Sequence, residues 1–187
     1  MKKVLLVGDS IRMSYNAAVT ELLRGKADVW GPDDNCRFAK YTLWEINNWM
    51  GMGGKGKPDI IHWNNGIWDT FRISGDVEPF TGIDEYVRDM LAVLNEMKRS
   101  GAEIIFATTT PVREQLTATN TERIKEYNRA MLEALSTEQV VINDLFSVIA
   151  RDTDGYIGED FLHLNEKGVD AAARAVAAAI ENQLGQR

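Results

Sequence analysis

The chain has 187 residues, 44% of them hydrophobic, with two histidines, one cysteine and a formal net charge of -7. This length and apolar content suit a single core, so one domain is expected over residues 1–187. The acidic balance supplies no basic patch for a polyanion, which excludes nucleic acid as an expected partner, and the lone Cys36 excludes an internal disulfide or a cysteine-rich zinc site.

From the N-terminus, the apolar run Val4 to Val7 stops at Gly8 and Asp9. That is too short for a signal-peptide core. No stretch reaches the length of a bilayer span, so a cytoplasmic protein is expected. Runs rich in Val and Ile predict five strands at Lys3 to Val7, Ala27 to Trp30, Asp59 to Trp63, Glu103 to Thr108 and Val140 to Asn143. Amphipathic segments lie between them. Ile83, Tyr86, Val87, Met90, Leu94 and Met97 share one helical face, as do Ile124, Tyr127, Met131 and Leu135. A last helix carries Val169, Ala172, Val176, Ile180 and Leu184 behind a capping Asn165. Strands alternating with helices predict an α/β fold with a parallel sheet.

In such sheets ligands bind beyond the carboxyl ends of the strands. Chemistry is therefore sought in Gly8 to Ser10, Gly31 to Arg37, Asn64 to Asp69, Thr109 to Arg113, and Asp160 to His163. The glycine-rich stretch from Gly51 to Lys57 matches phosphate-loop spacings, but a helical segment precedes it and Pro58 and a strand follow. A phosphate cradle needs the reverse order, so a plain connection is expected. Asp152, Asp154, Glu159 and Asp160 lack the glycine position of a calcium loop and read as solvated acids.

Ser10, at a strand end and a helix start, can present its hydroxyl where helix N–H groups favour developing negative charge. A serine needs a base. Of the two histidines, His62 lies inside the third strand and reads as a packed structural residue, whereas His163 stands in a loop three residues after Asp160. A carboxylate at that spacing can hold the ring Nδ1-H and stabilise the imidazolium.

With Gly8-Asp9-Ser10 closing the first strand and Asp160-Phe161-Leu162-His163 just before the last helix, the sequence resembles the SGNH/GDSL hydrolases. The resemblance implies a three-layer, flavodoxin-like α/β/α fold with strand order 2-1-3-4-5, hydrolysis of esters through an acyl-serine, and no metal or organic cofactor. Ser10, His163 and Asp160 are then the catalytic residues. The oxyanion hole would use the Ser10 N–H, a backbone N–H of the second block, placed at Cys36 within Asn35-Cys36-Arg37, and an asparagine of the third block. Where that block usually reads Gly-x-Asn-Asp, this chain has Gly66-Ile67-Trp68-Asp69. The asparagine is therefore sought in the preceding Asn64-Asn65 pair, with Asn65 preferred for lying nearer the loop and Asn64 the alternative. Asp9, Trp68 and Pro111 are expected to bind substrate. Trp44, Trp63, Tyr41 and Phe71 are further aromatics near the expected mouth, each also a candidate for packing. The expected substrate is a small ester, an acetyl group on a carbohydrate first. The alternatives are a lysophospholipase or thioesterase, and a binding module that kept the fold without catalysis.

Overall fold

The computed structural model describes residues 1–72 and 78–185. Its strands are β1 (Lys2–Val7), β2 (Ala27–Trp30), β3 (Ile60–Trp63), β4 (Glu103–Ala107) and β5 (Val141–Asn143). The helices are α1 (Ser10–Leu22), α2 (Ala39–Gly51), α3 (Ile83–Arg99), α4 (Thr121–Leu135), α5 (Leu145–Ala150), α6 (Thr153–Tyr156) and α7 (Glu166–Leu184). The strands pair in the order β2-β1-β3-β4-β5, and every pair is parallel. Among the described residues no helix is long and apolar enough to cross a membrane.

Side chains alternate between the two faces of each strand, so each inner strand feeds two cores. Val4, Leu6, Ile60 and Ile105 pack with Ile11 and Tyr15 of α1 and with Val176 and Ile180 of α7. Leu5, Val7, Ile61, Trp63 and Phe106 pack on the other side with Ile46 and Trp49 of α2, Met90 and Met97 of α3, and Met131 of α4. All of these are buried. Each such side chain contributes roughly 1.5–3 kcal/mol relative to exposure, and covering both faces is why the strands read as unbroken apolar runs.

The expected strands lie within a residue of the observed ones, and Asn165 does cap α7, its Oδ1 accepting from the N–H groups of Lys167 and Gly168 at 3.0 and 3.1 Å. The segment between β5 and α7, whose Asp152, Asp154, Glu159 and Asp160 read as solvated acids, is partly helical. Asp144 Oδ1 accepts from Ser147 N at 3.2 Å to start α5, Asp152 Oδ1 accepts from Gly155 N at 3.0 Å to start α6, and Asp154 pairs with Arg113 Nε at 3.1 Å. Helices this short carry too few turns for apolar periodicity to reveal them. Between α2 and β3 the chain makes a 3-10 turn at Met52–Gly54 and then runs without regular structure to the strand, the plain connection expected.

Two features hold the carboxyl edge of the sheet. The position before α2 is Phe38, which has no side-chain acceptor for the helix N–H groups. Asp69, in the loop after β3, supplies it from a distance, its two oxygens accepting from Ala39 N at 3.1 and 3.3 Å. Burial pushes the Asp69 carboxyl up to about 7 from 3.8, against hydrogen bonds from Thr81 and Ala39 that favour its charge. At Gly66 the chain adopts φ 144°. There a Cβ would fall inside the van der Waals radius of Thr109 Oγ1.

Gly66→Ala is therefore expected to cost about 2 kcal/mol, combining a strained backbone and a clash, and to lower Tm by about 4–8 °C in a thermal melt. For Asp69 the folded state holds its proton at a pH where the unfolded chain has lost it, so the stability it contributes is full below about pH 4 and is lost as pH rises through about 7. Asp69→Asn, which stays neutral, should gain relative to the parent across that window in urea unfolding at pH 4 and pH 8. His62, held neutral by burial with its pKa lowered to about 3, acts in the opposite sense but is common to both proteins and cancels in the difference.

Candidate active site

Ser10 reaches the carboxyl edge through a turn with no room for a side chain: at Gly8 a Cβ would sit 2.7 Å from Arg12 Cβ and 2.9 Å from Asn64 O. Asp9 follows as the N-cap of α1, its Oδ1 accepting from Ile11 N at 2.9 Å. Ser10 is the first residue of the helix, where N–H groups lack intrahelical acceptors and the helix dipole favours negative charge.

His163 arrives from the other end of the chain on a turn that Asp160 organises. Asp160 Oδ1 accepts from the N–H groups of Leu162 at 3.0 Å and His163 at 2.9 Å, and Phe161 between them takes a left-handed backbone with φ 67°. Gly158 N donates to His163 O at 2.7 Å, and Arg113 N donates to Phe161 O at 3.0 Å, pinning the turn to the loop after β4. The second carboxylate oxygen, Oδ2, is thereby left 2.6 Å from His163 Nδ1, while Nε2 stands 2.9 Å from Ser10 Oγ. Desolvation raises the Asp160 pKa, but hydrogen bonds from the His163 ring and from the His163 and Leu162 N–H groups outweigh it and hold the carboxyl below its ordinary value. The histidine and aspartate side chains remain 43% and 54% exposed, so the pair opens to solvent. This arrangement can draw the proton from a serine hydroxyl and stabilise the imidazolium that forms.

The remaining expected residues divide. Cys36 does not offer its N–H to the site, because that group donates to Gly8 O at 3.2 Å and the residue is fully buried. The next residue, Arg37, takes a left-handed backbone with φ 50°, and its N–H is committed too, to Asn35 Oδ1 at 2.9 Å. Asp9 is buried, with Oδ2 unpartnered among the described residues, and desolvation pushes its carboxyl up to about 6. It supports the turn and cannot touch substrate. Pro111 is buried as well. Trp68 keeps part of its surface open beside Phe71, with ring centroids 6.3 Å apart, in an apolar cluster that includes Leu162. Trp63 is core, edge-on to Phe106 at 5.3 Å, whereas Trp44 is 79% exposed on α2. His62 is buried inside β3, its Nε2 3.1 Å from Asn143 Nδ2, and reads as a packed structural residue.

Asn64 and Asn65 point to opposite faces. Asn65 follows Trp63 onto the α2 side: its Oδ1 accepts from Trp63 Nε1 at 2.7 Å and lies 3.0 Å from Thr42 Oγ1, and its Nδ2 donates to Arg37 O at 2.8 Å. Because an indole N–H only donates, the amide orientation is fixed. With no exposed surface, Asn65 is a latch between β3 and the second block, contrary to its expected place facing Ser10. Asn64 lies on the other face, where its Nδ2 donates to Ala107 O at 3.2 Å and its N–H to Val7 O at 2.9 Å. Ile60 on that side of β3 packs against α1 and α7, helices that begin at Ser10 and three residues after His163.

Sequence reasoning passed over Arg12, which is buried and donates from Nε to Gly8 O at 3.3 Å, from Nη1 to Pro32 O at 2.9 Å and from Nη2 to Asp34 O at 2.7 Å. An arginine among the apolar positions of α1 was the available signal. Among the described residues no three His, Cys, Asp or Glu side chains lie close enough to share a metal ion.

Neither a family model nor a curated protein matches the sequence. Solved structures do match in shape. An acetyl xylan esterase, AlAXEase, superimposes with a TM-score of 0.79 at 16% identity, over 95% of this chain and 99% of that one. The lipase/acylhydrolase from Enterococcus faecalis gives 0.80 at 17% identity, over 98% and 97%. A GDSL-like lipase from Bacteroides thetaiotaomicron gives 0.72 at 13% identity, over 97% and 89%. Together with the all-parallel sheet in the order β2-β1-β3-β4-β5, these likenesses establish that the chain has the SGNH hydrolase fold.

Proposed function

We propose that this protein is a serine ester hydrolase that cleaves small acyl groups, acetyl first, from a carbohydrate or a comparable small alcohol. The observation that carries the reading is the unbroken chain of contacts from Ser10 Oγ to His163 Nε2 at 2.9 Å and from His163 Nδ1 to Asp160 Oδ2 at 2.6 Å. His163 takes the Ser10 proton as the hydroxyl attacks the ester carbonyl. The same histidine then returns the proton to the leaving alkoxide. Water, activated in the same way, hydrolyses the acyl-serine, and Asp160 balances the imidazolium in both halves. The oxyanion is received by the Ser10 N–H and by the side chain of Asn64, chosen over Asn65 because it lies on the face that α1 and α7 cover.

The solvent-open histidine and aspartate favour an acyl group presented on a bulky polar alcohol over a long acyl chain, which would need an enclosing apolar channel. The acetyl xylan esterase of similar fold points the same way as an analogy.

Four measurements test the proposal. A fluorophosphonate probe is expected to label the parent protein and not Ser10→Ala. Ser10→Ala and His163→Ala should each lower kcat by at least ~10³-fold, with the double variant hardly worse, since the residues act as a unit; additive losses would contradict it. Among acetyl, octanoyl and palmitoyl esters the acetyl ester should be the best substrate, and a preference for palmitoyl would transfer the reading to lipid substrates. Asn64→Ala should lower kcat by about 10²-fold with little change in KM, whereas Asn65→Ala should chiefly lower Tm.

A further inference from the structure

The two edges of the sheet are finished differently. At the β2 edge a charged side chain closes the strand: Lys55 pairs with Asp28 and lies over the Trp30 ring at 5.4 Å. The β5 edge, Val141–Asn143, carries neither a charge nor a proline. Val141 and Ile142, 37% and 41% exposed, are the only exposed large hydrophobics on any strand among the described residues. Thr108 N donates to Asn143 O at 3.1 Å, so Asn143 turns its peptide groups toward β4. By alternation Ile142 turns both its N–H and its C=O to the open edge. Unpaired peptide groups beside apolar side chains are the template on which another strand adds.

The flanks of this edge suit such an addition. Ala175, Ala178 and Ala179 of α7 line an open groove beside Val141 and Ile142, and their small side chains leave room for a second helix. A second groove, between α4 and α5, is lined by Arg129, Leu132 and Glu133 together with Asp144 and Phe146. Arg129 and Glu133 stand about one turn apart on the exposed surface of α4 and form no ion pair among the described residues.

We propose that β5 pairs with β5 of a second copy of this chain about a two-fold axis, joining the two five-stranded sheets into one. In an antiparallel pair centred on Ile142, the two isoleucines stand opposite each other and exchange N–H···O bonds in both directions. One residue with an outward donor and an outward acceptor is thus complementary to itself, as an isologous interface requires. The same axis lays α4 antiparallel to its copy and offers Arg129 of each protomer to Glu133 of the other. A three-residue strand gives few backbone bonds, so the flanking charges and apolar grooves decide the occupant, and their self-complementarity selects a second copy. The paired strands run in opposite directions, so the two carboxyl edges face opposite ways and each Ser10 site stays open. The proposal goes beyond the hydrolase reading and does not depend on it.

Sedimentation of the full chain from about 1 to 100 µM is expected to show a species of twice the 21.0 kDa protomer mass growing with concentration. Ile142→Lys puts a charge on the open edge and should leave only the protomer over that range, with far-UV circular dichroism and Tm close to the parent. Ile142→Cys gives a second test that does not need the lysine variant to fold. Opposed residues in such a pair have Cα atoms about 5.5 Å apart, within disulfide reach. Mild oxidation should therefore yield a covalent dimer on a non-reducing gel, and none from the parent, whose single Cys36 is buried. A parent that sediments as the protomer throughout overturns the proposal. So does a dimer that survives Ile142→Lys, or an Ile142→Cys protein that does not cross-link.

Discussion

A guanidinium withdrawn from water is costly unless its donors are met, and the carboxyl edge of this fold is arranged around one. Arg12 is only 2% exposed and reaches three backbone carbonyls, one in the turn before Ser10 and two in the loop after β2. Burial raises the pKa of the neighbouring Asp9 carboxyl, and the Ile11 N–H and the Arg12 charge offset only part of that rise. Since Gly8 O, Pro32 O and Asp34 O converge on one planar fork, the turn before Ser10 and the loop after β2 have a fixed mutual position. The second-block contacts follow from it, including the bond from Cys36 N to Gly8 O.

A single strand end does the complementary sorting. Period-two alternation sends Ile60, His62 and Asn64 to the α1 and α7 side, and Ile61, Trp63 and Asn65 to the α2 and α3 side. Asn65 then serves as an internal connector, its backbone oxygen also accepting from Tyr86 OH at 3.0 Å and Thr109 Oγ1 at 3.1 Å. Asn64 is left on the α1 and α7 side. Two adjacent residues of one type acquire unlike roles because the pleat separates them by about half a turn.

Much of this was legible in the sequence because it depends on local patterns. The β-run and helix periodicities gave the element order, and Gly8-Asp9-Ser10 with Asp160-Phe161-Leu162-His163 marked the two ends that meet. What escaped was of a different physical kind. Asn65 was preferred for its nearness to the loop, but the donors that claim it, Trp63 Nε1 and Thr42 Oγ1, involve a helix that spacing alone does not place. Cys36 was chosen by block position, whereas the availability of an N–H depends on a carbonyl in another strand turn. Asp9 and Pro111 follow strands, where substrate contacts are expected, but burial, a property of the packed chain, leaves them no surface to offer. Helices α5 and α6 escaped because they are shorter than the period that would disclose them.

The contact between Ser10 and His163 joins residues 153 positions apart. Ser10 is made early in synthesis and His163 near its end, and they meet only when α7 has docked beside α1 on the finished sheet. Until then the hydroxyl has no base and is chemically ordinary. The proposed activity is therefore a property of topological closure: a nascent or partly unfolded chain carries the nucleophile in an inert form, and hydrolysis would report the completed fold more stringently than its secondary structure does.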